Sequence, residues 1–373
     1  MSARSRTSPR LVRAAVSVGL CAAAACGSSG VRWETGWDSE YGRFDAQLRA
    51  EYRAARDFAE AGEWESSWGL LVPLTRAHPY NLQLAVDLQE VELELLAARS
   101  PADPALAALA REPDPEEALR KAYAERAEAD ATVVNFVLAA RLESDSIACQ
   151  HLLDRALELD PGCAWAHYGQ AHALLRQRGK NDRWLEAGEA LARALELDPG
   201  HVGARRLEAW MRAQEGAVSV AANYLAAWLE VTRGDPRVTT VARITAELDL
   251  ALFLLLDGRP ARARELLAGL EGNTVARGRR LALLAATEQA LGDLFAALDA
   301  ARRAEGAMKD DLLPHLQQAV LYEYWLEDDE AAERQWRKVT ELSRGNTELS
   351  GLLQVLRAQV MLERYEQARD GPP

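Results

Sequence analysis

Side chains that could carry out chemistry are few in this sequence, and their spacing argues against a metal site. The chain holds six histidines, and the pair closest together on one predicted helix is His167 and His172. Residues five apart are separated by about 140° around an α-helix, whereas side chains that share a metal ion from one face are three or four apart. His151 stands nearer in sequence to Cys149 than to that pair. We therefore predict no metal site and no cofactor.

The sequence also lacks the short motifs that mark common catalytic and nucleotide-binding sites. It contains no GxxxxGK[ST], GxGxxG, HExxH or GxSxG. The acidic residues Asp328, Asp329 and Glu330 stand at a predicted helix start, where the helix dipole stabilises negative charge. A formal net charge of −13 disfavours nucleic-acid binding and suits solubility or a basic partner. We expect neither an enzyme nor a small-molecule substrate.

A repeated seven-residue phrase organises the chain. ALELDPG occupies residues 156–162 and again 194–200. Its last three residues, Asp-Pro-Gly, end a helix because proline cannot continue the helix and glycine accepts the left-handed turn that follows. Farther along, Gly258 and Gly292 are 34 residues apart and begin similar segments. Small and apolar residues recur on one helical stripe that leads into each phrase and includes its first residue. They are Cys149, Leu153 and Ala156 in the first copy and Ala187, Leu191 and Ala194 in the second.

This A-x3-L-x2-A…P spacing, with Cys149 in place of the usual alanine, resembles the second helix of a tetratricopeptide repeat. The resemblance covers roughly residues 44–370 and is strongest over 130–200 and 244–305. It implies an all-α fold, an α-solenoid of about seven to eight helix-turn-helix repeats wound into a right-handed superhelix. A different helical-hairpin solenoid or a helix bundle is an alternative, although a 34-residue period argues against a bundle.

Composition and repeat register divide the chain into five predicted segments. A domain boundary is the alternative interpretation of the proline-rich stretch at 100–115. The segments are a lipoprotein signal peptide (1–25), a tether (26–43), N-terminal repeats with a proline-rich insertion at 100–115 (44–132), the main repeat array (133–346), and a C-terminal capping helix and tail (347–373).

The N-terminus has the pattern of an export signal and a lipid anchor. Four arginines and no acidic residue precede the apolar stretch 14–25, which is typical of a secretory signal and too short for a stable membrane span. The succession from Ala23 to Cys26 resembles a bacterial lipobox, with Ala23 in place of the usual leucine and Cys26 as the lipidated residue. A plain signal peptide cut near Ala25 is the alternative. Since Gly27 rather than aspartate follows the cysteine, the resemblance implies a lipid-anchored protein of the bacterial cell envelope, at the outer membrane and facing the periplasm.

The chain has four cysteines, and the two that follow the predicted signal peptide and anchor are predicted to be free. Cys149 occupies a small-residue position on one helix, and Cys163 lies in the turn after that helix. Nearly four helical turns separate them, which is too far for a disulfide bond.

The resemblance also implies where a partner would bind. First helices of tetratricopeptide repeats line an inner groove that holds ligand peptides, and aromatic and arginine side chains are common interface anchors. Packing between repeats is the alternative role for each aromatic residue. A lysine–asparagine clamp for a C-terminal carboxylate is not matched, because Tyr168 and His172 stand in its place. By register the groove residues are Tyr52, Arg56, Trp165, Tyr168, His172, Arg176, Arg206, Trp210, Arg279, Gln289, Gln317, Tyr324 and Trp325.

Together these patterns predict an envelope-anchored, non-catalytic scaffold or assembly factor that binds protein or peptide partners. Two alternatives fit the same sequence. One is a peptidoglycan- or glycan-binding protein that stacks sugars on the groove aromatics, and the other is a regulatory subunit of an envelope enzyme. The membrane is contacted through the lipid anchor alone in each case.

Replacing Cys26 tests the anchor. Stable membrane attachment takes more than one acyl chain, and a lipidated cysteine with a diacylglycerol and an amide-linked chain supplies them. Cys26→Ser should therefore release the protein from membranes or stall its processing, as measured by cell fractionation and intact-mass analysis. A processed variant that still fractionates with membranes would contradict the lipoprotein assignment.

Overall fold

The computed structural model describes residues 44–99, 101–177, 182–234, 238–272, 276–308 and 311–344. The predicted signal peptide, the tether with Cys26 and the capping helix at 347–373 lie outside these residues. None of the described helices is long and apolar enough to cross a membrane.

The described residues form successive helices joined by short turns, and the predicted all-α helical-repeat solenoid is confirmed. The helices in chain order are α1 (Ala46–Glu60), α2 (Trp64–Ala77), α3 (Leu82–Ala97), α4 (Pro104–Leu109), α5 (Pro115–Ala129), α6 (Val133–Leu142), α7 (Ser146–Leu159), α8 (Ala164–Arg176), α9 (Asp182–Leu197), α10 (Val202–Gln214), α11 (Val218–Val231), α12 (Thr240–Leu256), α13 (Pro260–Gly269), α14 (Arg277–Leu291), α15 (Leu294–Ala307), α16 (Leu312–Val320), a π-helical turn (Leu321–Leu326) and α17 (Asp329–Leu342).

Short polar side chains fix where many of these helices begin. Asp145 accepts hydrogen bonds from the backbone N–H groups of Ile147 at 2.9 Å and Ala148 at 2.8 Å, which satisfies two donors that the first turn of α7 leaves open. The predicted acidic helix start behaves in the same way, because Asp328 accepts from the N–H of Ala331 at 2.9 Å. Side-chain capping therefore explains why so many turns end on aspartate.

The chain divides into two compact units, and the first comprises, among the described residues, 44–211 together with Ala227–Arg243. In this unit the stripe predicted from the repeated phrase is the packing surface. Cys149, Leu153 and Ala156 are at most 1% exposed. Ala187, Leu191 and Ala194 are at most 2% exposed, so small residues do let the helices approach closely.

The proline-rich insertion predicted at 100–115 carries the short helix α4. Pro101, Leu106 and Ala110 are buried, and the backbone N–H of Ala102 donates to the Glu65 carboxylate at 2.7 Å. The insertion is therefore part of the packed N-terminal repeats, since its apolar residues cover α3.

The second unit comprises Arg212–Ala226 and the chain from Ile244 onward. The 34-residue register predicted for it is visible as equal burial at equivalent positions. Ala251 and Ala285 are each 1% exposed, and Ala263 and Ala297 are fully buried. The two helix pairs α12–α13 and α14–α15 thus present the same small residues to the core.

One element of the second unit departs from a regular helix. The chain continues from α16 into a turn, Leu321–Leu326, that has π geometry and ends at Glu327 with a φ of 54°. The backbone N–H of Asp328 closes the turn by donating to Tyr322 O at 3.1 Å. The wider turn buries Tyr322, Glu323 and Tyr324 together, and the buried Glu323 carboxylate accepts the indole N–H of Trp336.

Candidate binding face on the first helices

Numbered in chain order, the third repeat is formed by α6 and α7, the fourth by α8 and α9, and the fifth by α10 and α11. The predicted groove residues of repeat four form a single stripe on α8, but its aromatic members are buried. Trp165 is 7% and Tyr168 2% exposed. The imidazole ring of His201, at the start of α10, packs against both, with ring centroids 4.5 Å from Trp165 and 4.7 Å from Tyr168. These two side chains therefore pack between repeats four and five, which is the alternative role that the sequence left open.

Two residues that sequence reasoning missed complete this contact. Nδ1 of His201 accepts the backbone N–H of Ala204 at 3.3 Å, so His201 caps α10 while its ring fills the space between the aromatics. At Gly203 an added Cβ would lie 2.7 Å from Cζ of Tyr168. Two features of the sequence could have identified this contact. His201 directly follows Asp-Pro-Gly, and Gly203 lies within the first turn of α10.

Burial shifts the ionisation of the groups in this cluster. Burial lowers the pKa of His201 to about 3. Burial, together with the neighbouring Arg176 guanidinium, lowers the pKa of His172 to about 4. Burial raises the pKa of Tyr168. Nδ1 of His172 and Nε2 of His201 have no hydrogen-bond partner among the described residues, so both rings are neutral in the folded protein near pH 7.

Arg176 ends the stripe and is half-buried. Its guanidinium donates to Glu143 O at 3.2 Å and to Ser144 O, which are carbonyls just past the end of α6. A cation there also interacts favourably with the dipole of α6. Arg176 therefore links the first helices of repeats three and four.

In the first repeat, Tyr52 and Arg56 lie beside the half-buried carboxylate of Asp87, which the sequence pattern did not identify. The fully buried Tyr52 hydroxyl donates to Asp87 Oδ2, and Gln83 Nε2 donates to Oδ1 at 3.0 Å. The Arg56 guanidinium lies 5.4 Å from the Tyr52 ring centroid. Burial raises the pKa of Asp87, and Arg56 and the two hydrogen bonds oppose that shift.

A second polar set bridges α3 and α6. Arg141 has a side chain only 1% exposed and donates to Gln89 Oε1 and to the Glu90 carboxylate. Gln89 in turn donates from Nε2 to Leu138 O at 2.9 Å. Since the interior of α3 is otherwise almost entirely apolar, its polar residues at 87, 89, 90 and 92 were a readable signal of buried pairing.

The second unit places its predicted groove residues on α14, α16 and the π turn. Arg279 is paired with the fully buried Asp249 of α12. Gln317 Nε2 donates to Ala282 O at 2.8 Å, which joins α16 to α14. The rings of Tyr324 and Trp325 meet edge to face at 5.0 Å.

Exposure separates the predicted groove residues into two groups. The buried members, Tyr52, Trp165, Tyr168, Arg206 and Tyr324, hold helices together. The half-buried members, which keep some surface for a ligand, are Arg56, His172, Arg176, Trp210, Arg279, Gln289, Gln317 and Trp325. Partner binding by any of them stays a prediction.

This face offers hydrogen-bond donors and cations rather than a reactive group. In the part of the chain that the structure describes, no three histidine, cysteine or carboxylate side chains converge in a way that would hold a metal ion. Cys149 and Cys163 are free and buried as predicted, and burial raises the pKa of the Cys149 thiol to about 12. A neutral buried thiol is a poor nucleophile, so Cys149 has a packing role.

No protein-family model and no curated protein matches the sequence. Solved structures do match. A chain of the APC/C hetero-tetramer Cut9-Hcn1 is 13% identical, with a TM-score of 0.57 over 83% of this chain and 54% of that one. Yeast Tom70 is 14% identical, with a TM-score of 0.50 over 95% of this chain and 73% of that one. Both are tetratricopeptide-repeat proteins. The chain has the tetratricopeptide-repeat fold.

A tetratricopeptide repeat protein from Parabacteroides merdae is also similar and is 13% identical. Its TM-score is 0.43 over 79% of this chain and 100% of that one. This chain spans about half the length of the Cut9-Hcn1 chain that it matches. The tetratricopeptide fold explains why the predicted stripe residues pack between consecutive helices.

The close approach of α10 to α8 predicts a steric requirement at Gly203. Gly203→Ala should lower the free energy of unfolding by about 1–3 kcal/mol, because the buried Tyr168 ring has little room to move away. Urea unfolding measures the change. Gly188→Ala is the matched control, since a Cβ there meets Met211 Cε at an ordinary 3.8 Å. Equal effects of the two substitutions would contradict the close contact.

The neutral burial of His201 predicts a specific pH dependence. The pKa of His201 is about 6.5 in the unfolded chain and about 3 in the folded chain. At pH values between these two, the unfolded chain binds a proton that the folded chain does not. The free energy of unfolding therefore falls as the pH falls through this range. His201→Asn keeps a capping oxygen and removes the titration. The loss of unfolding free energy from pH 7 to pH 5 should therefore be about 2 kcal/mol smaller in His201→Asn than in the wild type.

Urea unfolding at the two pH values provides this comparison. His151→Asn removes a solvent-exposed histidine of the same unit and should leave the pH dependence unchanged. A wild-type dependence retained in full by His201→Asn would show that His201 is not the group responsible.

Proposed function

We propose that this protein is a non-catalytic scaffold of the bacterial cell envelope, lipid-anchored through Cys26, that binds protein partners along the first helices of its repeats. The anchor and location are supported by the basic, apolar and small-residue succession that ends at Cys26. The outer membrane, with the repeats facing the periplasm, is the proposed site. The fold supports protein binding, because a repeat array presents an extended surface formed by many helices.

The single observation that carries protein binding is the presence of half-buried, anchored cationic side chains on the first helices α1, α8 and α14. Arg56, Arg176 and Arg279 each have an anchored guanidinium that remains partly exposed. A side chain already held in place loses little conformational freedom when it meets a ligand, which favours its use as an interface anchor.

The glycan-binding alternative is less well supported. Sugar stacking needs an accessible aromatic face. Four of the six tyrosine and tryptophan residues predicted in the groove, Tyr52, Trp165, Tyr168 and Tyr324, are at most 7% exposed. The other two, Trp210 and Trp325, are half-buried. The buried rings stabilise the repeats, so hydrogen-bonding and charged groups dominate what a partner meets. A protein or peptide ligand fits those groups better than a polysaccharide does.

Site-specific photocrosslinking in intact cells tests the proposal. A photoreactive amino acid replaces Gln289, a half-buried predicted groove residue, or Glu265, an exposed residue of α13 that serves as the control. We expect a discrete protein adduct in the membrane fraction from position 289 and none from position 265. Failure to find a protein adduct at 289, or at further half-buried groove positions such as Trp325, would contradict the scaffold assignment.

A further inference from the structure

A cleft of about 370 Å³ lies between α7 and α9, with α8 as its floor. Gln170 and Leu174 of α8 line it, and both lie about 120° or more around the helix from the stripe that faces the first helix of the next repeat. The cleft is therefore on a different side of repeats three and four from the predicted groove. Its volume is at the lower end of the range for ligand sites, which suits one long side chain with its adjoining main chain.

The charges around the cleft leave it acidic. Glu186 and Glu189 of α9 line one wall. Glu186 is paired with Arg183 at 2.8 Å, whereas Glu189 forms no hydrogen bond or ion pair with any described residue. Arg193, also in the lining, is already paired with Glu196 at 3.0 Å. The uncompensated charge on this wall is therefore that of Glu189.

Polar groups on the opposite wall reinforce this acidity. Asp154 of α7 accepts a hydrogen bond from Gln170 Nε2 at 2.7 Å and adds a second negative charge beside the cleft. Gln150 in the lining uses its amide oxygen to accept from Gln177 at 2.7 Å. The Gln150 amide nitrogen and the Gln170 amide oxygen remain available to the cleft, and they match the C=O and N–H of a peptide main chain.

Apolar side chains flank these polar walls. Ile147 is 60% and Leu185 72% exposed. Ile147 precedes Gln150 by three residues, and Leu185 precedes Glu189 by four, so each lies on the same helix face as a cleft residue. Exposed aliphatic residues at the rim of a polar cleft favour a protein ligand over a hydrated ion.

We propose that this cleft binds a peptide segment that carries a lysine or arginine next to apolar residues. The proposal rests on the protein-binding function proposed above and adds a second surface with a stated partner chemistry. The cation meets Glu186 and Glu189, its aliphatic stem lies along Leu174, and the flanking apolar residues contact Ile147 and Leu185. An acidic segment is excluded by repulsion from the same carboxylates.

Fluorescence anisotropy with three labelled nonapeptides tests this proposal on the full chain. The probe has a central Leu-Lys-Leu flanked by glycine and serine, and its two counterparts carry norleucine or glutamate in place of lysine. We expect the order of affinity lysine, norleucine, glutamate. Combining Glu186→Gln with Glu189→Gln should weaken binding of the lysine peptide about three- to fivefold, the size expected for solvated ion pairs, and leave the norleucine peptide unchanged.

The matched control removes two carboxylates of the same spacing and exposure elsewhere in the same unit. Glu125 and Glu128 of α5 are three residues apart and exposed, and Glu128 has an arginine partner, Arg155, as Glu186 has Arg183. Glu125→Gln with Glu128→Gln should leave the affinity for the lysine peptide unchanged. An equal loss in the control would reveal only long-range attraction to an acidic chain, and it would overturn the cleft assignment.

Two further outcomes count against the cleft. Equal affinity for the three peptides, or an unchanged affinity in the Glu186 and Glu189 double variant, overturns it. The proposed scaffold function stands apart from these results, because the photocrosslinked adduct at position 289 is a separate readout. Loss of that adduct, rather than of peptide binding, would overturn the protein-binding function.

Discussion

Every repeat in this chain depends on one constraint, which is that a helix pair can bury its apolar stripe only against neighbouring helices. Alanine and cysteine at the crossing points let the backbones approach, and positions such as Ala156, Ala194 and Ala297 are completely buried. A larger residue at these points would separate the helices and expose the leucines packed around them. The stability of each repeat is therefore tied to the presence of the next one.

The first helix of each repeat also places polar side chains in the interior between repeats. Burying a charge is unfavourable unless it is paired and hydrogen-bonded. The chain meets this requirement with pairs that join consecutive first helices, such as Tyr52 with Asp87 and Arg141 with Glu90. The groups that keep one side exposed are held in place by the same contacts, so structural pairing also positions the candidate binding face.

Much of the fold could be predicted from the sequence, since helix periodicity and turn residues are local signals. The repeated ALELDPG phrase located two second helices, and the Asp328 cluster located a helix start. The π turn at Leu321–Leu326 could not be predicted in this way, because its geometry depends on tertiary contacts such as that of Glu323 with Trp336.

The candidate site was harder to predict than the fold for a similar reason. Helical spacing correctly placed Trp165, Tyr168, His172 and Arg176 on one face, but it could not say whether that face meets a partner or the next repeat. Trp165 and Tyr168 meet the next repeat because His201 packs against both rings and Gly203 lies close to Tyr168. These two residues are more than 30 positions farther along the chain. The partners of buried polar groups such as Arg141 are about 50 residues distant in sequence, and no local pattern specifies them.

The aromatic stripe of repeat four packs against repeat five through His201. A double-mutant cycle with Trp165→Leu and His201→Asn, followed by urea unfolding at pH 7, measures that contact directly. For rings 4.5 Å apart we expect a coupling free energy of about 0.5–1.5 kcal/mol between the two substitutions. Additive effects, with a coupling below about 0.3 kcal/mol, would contradict the claim and return Trp165 to the list of candidate partner contacts.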